Sequence, residues 1–113
     1  MGAQDLQPSR AAAERRQYRR VKVVTQVHCH APERDEIMVT RDVSLGGMFI
    51  NAQFPVPIDS ELSLTFRLNP EEPAIKCRAV VMFSRIGLGM GIQFQDLSDE
   101  ARGLLQKFLD EVD

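Results

Sequence analysis

From Val21 onward the chain alternates. Val21, Val23, Thr25, Val27 and Cys29 fall on one face, and Lys22, Gln26, His28 and His30 on the other. A period of two is the mark of a half-buried strand. Residues 31–36, APERDE, hold Pro32 and a run of charges and predict a turn. Ile37–Thr40 and Met48–Ala52 predict a second and a third strand; Pro55 and Pro57 then break the pattern, and residues 58–60 turn the chain. From Glu61 to Leu68 the alternation is clean, with Leu62, Leu64, Phe66 and Leu68 inward. NPEEP at 69–73 is a strong turn signal. A long fifth strand carries Ile75, Cys77, Ala79, Val81 and Phe83 on its inner face; after a turn around Ile86 and Gly87, a sixth carries Met90, Ile92 and Phe94. Six short strands separated by turns predict an antiparallel barrel or sandwich.

The period then changes. Leu97, Ala101, Leu104, Leu105, Phe108, Leu109 and Val112 recur at helical spacing, which predicts an amphipathic helix packed on the strands. Ser98 is a suitable N-cap, and Asp99 and Glu100 suit the positive end of the helix dipole. The expected fold class is therefore mainly β with a C-terminal α-helix. Residues 1–13 predict a disordered lead-in, and 14–113 a single domain.

Composition narrows the class further. Apolar residues make up 43% of the 113 positions and charged residues 27%, as in ordinary globular proteins. No run of apolar residues approaches a membrane span, and the start, MGAQDLQPSR, lacks a secretory apolar core, so a cytoplasmic location is expected. The net charge of −2 hides an asymmetry: Arg10–Lys22 holds six bases and one acid. Cationic charge is thus concentrated where it could meet an anion.

Cys29 and Cys77 read as small buried hydrophobes. His28-Cys29-His30 is suggestive of metal. On a strand, however, only the two histidines share a face, and no further ligands follow at a recognisable spacing. No metal site and no cofactor are expected. There is no nucleophile–base pair either, so an enzyme is not expected.

Two polar stretches remain. ERRQYRRV (14–21) places Arg16 and Arg20 four residues apart, directly before the first strand. Guanidinium clamps phosphate bidentately and stacks on bases. RDVSLGGMFI (41–50) groups Asp42, Ser44, Gly46 and Gly47. A carboxylate accepts from the N–H donors of a guanine edge, and glycine permits positive φ or close backbone approach. Each stretch alone also fits a bland role, a solvated basic tail and a capped turn.

Taken together, Arg16-x-x-x-Arg20 and Asp42-x-Ser44-x-x-Gly47 resemble the motifs of the PilZ domain family. GLGMGIQF (87–94) is similar to that family's closing strand. The resemblance implies a six-stranded antiparallel PilZ-type barrel with a C-terminal helix, and a bacterial receptor for the second messenger cyclic di-GMP. It implies that Asp42 and Ser44 hold a guanine edge while Gly47 shapes the turn. It also implies that Arg16 and Arg20 contact phosphates and guanine Hoogsteen edges. Arg15, just before them, goes in some members with an intercalated ligand dimer. Arg19 has no counterpart in those motifs, and Arg85 on the far strand is a further candidate contact. The expected mechanism is ordering of the arginine segment by ligand, followed by engagement of an effector protein.

Two other functions stay open. A degenerate PilZ-fold adaptor for motility or polarity would act through protein contacts without the nucleotide. An OB-like nucleic-acid binder would need exposed aromatics for stacking, but the chain has no Trp and one Tyr, and Phe66, Phe83, Phe94 and Phe108 fall on expected core faces. No nucleic-acid partner is expected.

Overall fold

A computed structural model describes residues 19–112. Among these described residues, seven strands and one helix follow in order: β1 (Val21–Lys22), β2 (Gln26–Ala31), β3 (Arg34–Val43), β4 (Gly47–Asn51), β5 (Glu61–Phe66), β6 (Ile75–Arg85), β7 (Gly89–Phe94) and α1 (Asp99–Glu111). All pairings are antiparallel, in the order β1-β3-β2-β5-β6-β7-β4, and β4 also pairs with β3. That last pairing closes six strands into a barrel, with β1 as an addition.

The expected first strand is split in two. Lys22 pairs with Asp42 and Gln26 with Val39, so three residues oppose two on β3. The extra residue breaks the ladder, as any bulge does. Thr40, 0% exposed, repairs the break. Its hydroxyl accepts from the Thr25 N–H at 3.1 Å and donates to the Val23 carbonyl at 2.5 Å. Valine matches threonine in shape but not in hydrogen bonding. Thr40→Val is therefore expected to leave a backbone donor and an acceptor unpaired and to cost about 1–3 kcal/mol. Urea unfolding of the variant beside the parent measures it.

β3 is longer than its sequence suggests. Arg34, Asp35 and Glu36 were expected in a turn, yet they pair with Ala31, His30 and Cys29 across a tight hairpin. The charges are tolerated because Arg34, Asp35 and Glu36 stand at the hairpin end of the ladder, where none of the three is buried.

The inner faces match the alternation. Val27, Cys29, Leu62, Leu64, Phe66, Ile75, Cys77, Ala79, Val81, Met90 and Ile92 form one core with Met48 and Ile50. Phe83 departs from it. The register slips between Val81 and Phe83, so Phe83 is turned outward and is 42% exposed. The helix closes the core with Ala101, Leu105 and Leu109, and Ser98 caps it through a 3.0 Å bond from the Ala101 N–H. Both cysteines are free and buried, and burial pushes each thiol up to about 12, so neither is a nucleophile at neutral pH.

Asp96 ties β6 to the approach to the helix. Its carboxylate accepts from the Arg78 backbone N–H at 2.7 Å and from Arg78 Nε at 2.9 Å. Those bonds hold its carboxyl below the ordinary value. A lowered folded-state pKa stabilises above the unfolded value and loses its contribution as pH falls through the folded value. Asp96→Asn should thus narrow the stability difference between neutral pH and pH values below the usual aspartate range. Urea midpoints at the two pH values, compared between parent and variant, check this.

Candidate functional site

Asp42 lies on the outer face of the barrel because of a bulge. Thr40 pairs with Ile50 and Asp42 with Phe49, so Arg41 is the extra residue on β3. One added residue flips the alternation that put Met38 and Thr40 inward. Asp42 then shares a cross-strand row with Phe49, Gly91 and Phe83. Gly91 leaves the space between the two rings open; their centroids lie 6.1 Å apart.

Arg20 enters from the segment before β1. Its Nη1 donates to Asp42 Oδ1 at 2.6 Å. Arg41 Nε donates to the other oxygen at 3.0 Å, and the Arg41 guanidinium sits 3.8 Å above the centre of the Phe49 ring. The Asp42 side chain is only 11% exposed, while those of Arg20 and Arg41 are 53% and 51% exposed. The site is thus a shielded carboxylate beneath two guanidiniums that face solvent, one of them covering the buried Phe49 ring. An ionised carboxylate has about four acceptor directions, so two guanidinium bonds leave capacity for a ligand donor. Arg41 was not singled out from the sequence. Its place directly before Asp42 was the available signal, and only the bulge brings both residues to one cluster.

Ser44 and Gly47 hold the adjoining turn. The Ser44 hydroxyl accepts from the N–H groups of Gly46 (3.1 Å) and Gly47 (3.2 Å), and the Ser44 N–H donates to the Gly47 carbonyl at 2.8 Å. Ser44 is 2% exposed. Its hydroxyl is therefore turned into its own loop, not toward the Asp42 surface. Neither Gly46 nor Gly47 has positive φ. What Gly47 supplies is close approach: a Cβ there would stand 1.9 Å from the Ile92 carbonyl oxygen.

Arg19 turns away from Asp42. Its Nη2 donates to the Leu109 carbonyl in the last turn of α1 at 2.6 Å, where a cation complements the negative helix end. Arg85 lies at the end of β6, three strands around the barrel wall from β3, and its cross-strand row runs through Gly89 and Asn51 to Val39 rather than to Asp42. Arg15 and Arg16 lie outside the described residues. A groove of about 630 Å³ runs elsewhere, lined by Thr25, Gln26, His28, Ile37 and Arg67 among others. It lacks a paired set of guanidiniums, since Arg67 Nη1 is bound to the Glu72 carbonyl. Among the described residues, three side chains of metal-ligating type, His28, His30 and Asp35, come together toward the opposite end of β3.

Comparison with solved structures finds the same architecture. The Bacillus subtilis inhibitor of motility, MotI/DgrA, superposes with a TM-score of 0.73 at 26% identity, covering 87% of this chain and 51% of that one. The Borreliella burgdorferi PlzA protein, solved in complex with c-di-GMP, superposes with a TM-score of 0.68 at 14% identity, covering 92% and 45%. This chain thus spans about half the length of either. No curated protein matches it in sequence. A sequence model of the PilZ domain matches residues 14–111, nearly the whole chain. With that match and the closed barrel in accord, the chain belongs to the PilZ domain family.

Proposed function

We propose that the chain is a non-enzymatic receptor for cyclic di-GMP, binding it on the outer barrel face around Asp42. The observation that carries this is the shielded carboxylate joined to two exposed guanidiniums next to Phe49. The family membership and the c-di-GMP complex of PlzA support it.

The chemistry is an exchange of partners. Guanine presents N–H donors on its Watson–Crick edge and O6 and N7 acceptors on its Hoogsteen edge. Asp42 takes the donors. Arg20 leaves Asp42 for the ligand's phosphate or Hoogsteen acceptors, and Arg16 joins it. Each broken ion pair is replaced by another charge-assisted bond, so the protein's cost of opening is small. Ser44 acts by fixing the turn rather than by touching ligand. Arg15 makes a second, intercalated nucleotide favourable.

Arg19 and Arg20 are neighbours in one short segment. Moving Arg20 onto ligand therefore disturbs the Arg19 bond to Leu109 and the end of α1. That altered surface is what a bacterial cytoplasmic effector protein reads. Calorimetric titration with cyclic di-GMP is the test. Saturable heat is expected, with two nucleotides per chain for the dimer mode; absence of heat and of any thermal shift would overturn the proposal.

One observation favours a second reading. The Asp42 carboxylate is already ion-paired and the Ser44 hydroxyl already satisfied, as a purely structural turn would require. On that reading the chain is an adaptor that recognises protein without nucleotide.

A further inference from the structure

We propose that His28, His30 and Asp35 form a binding site for a divalent late transition metal such as zinc, independent of the nucleotide site. The linear spacing His28-Cys29-His30 offers only two ligands on one strand face, and the hairpin supplies the third. His30 pairs directly with Asp35 across β2 and β3, while His28 pairs with Ile37 and so stands diagonal to Asp35. Side chains at direct and diagonal positions on one face are within reach of each other.

The side chains converge. His30 Nδ1 lies 3.3 Å from Asp35 Oδ1, His28 Nε2 meets the same oxygen, and the two imidazole rings are 4.0 Å apart between centroids. One ligand atom from each of the three falls within 4.8 Å of the other two. Metal–ligand bonds of 2.0–2.2 Å in a tetrahedron place ligand atoms about 3.3 Å apart. Rotation of the rings and carboxylate about their side-chain bonds is the movement that would bring the three ligand atoms to that spacing. Cys29 is no ligand; it is buried on the inner face. The neighbouring cation, Arg34, is engaged by Glu36 at 2.6 Å, and both alternate away from the Asp35 face.

Two imidazoles and one carboxylate favour zinc, nickel or copper over magnesium or calcium, which prefer all-oxygen sites. Three protein ligands leave a fourth position for water or an outside donor. All three side chains are substantially exposed, so the metal loads from solvent.

The test uses untagged full-length protein, zinc chloride and no nucleotide. A one-to-one calorimetric isotherm and a raised melting temperature are expected. His30→Ala and Asp35→Asn, on exposed side chains, should each weaken binding at least tenfold while keeping the parent's metal-free melting temperature. A tenfold excess of magnesium should leave the isotherm unchanged. Absence of saturable binding, or binding unaltered in both variants, would overturn the site. Because nucleotide is absent throughout, either result is separate from the receptor proposal.

Discussion

Gly47→Ala is expected to lower the melting temperature by roughly 12–24 °C, or to prevent folding. The cause is backbone against backbone. Gly47 pairs with Gln93 at the start of β4, and a Cβ would stand 1.9 Å from the Ile92 oxygen and 3.1 Å from the Gln93 Cα. Neither atom is the end of a flexible side chain, so relief requires β4 to part from β7. Overpacking of this kind costs about 3 kcal/mol, against a total stability of about 5–15 kcal/mol. Each kcal/mol corresponds to about 4–8 °C for a domain near this size. Gly103→Ala is the control, since its Cβ would meet nothing within 4 Å. Thermal unfolding by circular dichroism compares them. A Gly47→Ala protein as stable as the parent would mean that the β4–β7 contact is looser than described.

Asp42→Ala is expected to weaken cyclic di-GMP binding at least a hundredfold, about 2.8 kcal/mol, and to leave the ligand-free protein nearly as stable. The two effects separate because the two guanidiniums on Asp42 are half exposed. Such screened pairs stabilise by less than about 1 kcal/mol. A charge-assisted bond to ligand contributes more, about 1.5–3 kcal/mol, and the substitution also releases Arg20 and Arg41 from their fixed positions. Arg20→Ala should lose binding similarly. Titration calorimetry and melting curves on the same samples give both readouts. A variant that binds as the parent does would remove Asp42 from the site; one that unfolds would make it structural.

Much of the fold was legible because alternation reports burial directly. Leu62, Leu64 and Phe66 on β5 and Ala101, Leu105 and Leu109 on α1 needed only their spacing. Bulges were not legible. One extra residue has no compositional signature, yet three such slips split the first strand, turned Phe83 outward and brought Asp42 to the outer face. The charged start of β3 was hidden for another reason: Asp35 belongs to a strand through its pairing with His30, which no local pattern announces. In the site, Asp42 and Arg20 were chosen by motif and are found in contact. Arg41 was missed, and the hydroxyl of Ser44 faces its own turn, because orientation depends on register rather than on residue type.

The closed ring of β2 to β7 also constrains how any partner can bind. β3 is hydrogen-bonded to β2 on one side and β4 on the other, and β4 to β7, so those six strands offer no long unpaired edge. A partner peptide cannot extend such a sheet as a further strand. Recognition by these six strands would then run through side chains on the wall, and its specificity would be written in individual surface residues. Single outward-facing substitutions on that wall should therefore be able to abolish binding of such a partner without disturbing the fold.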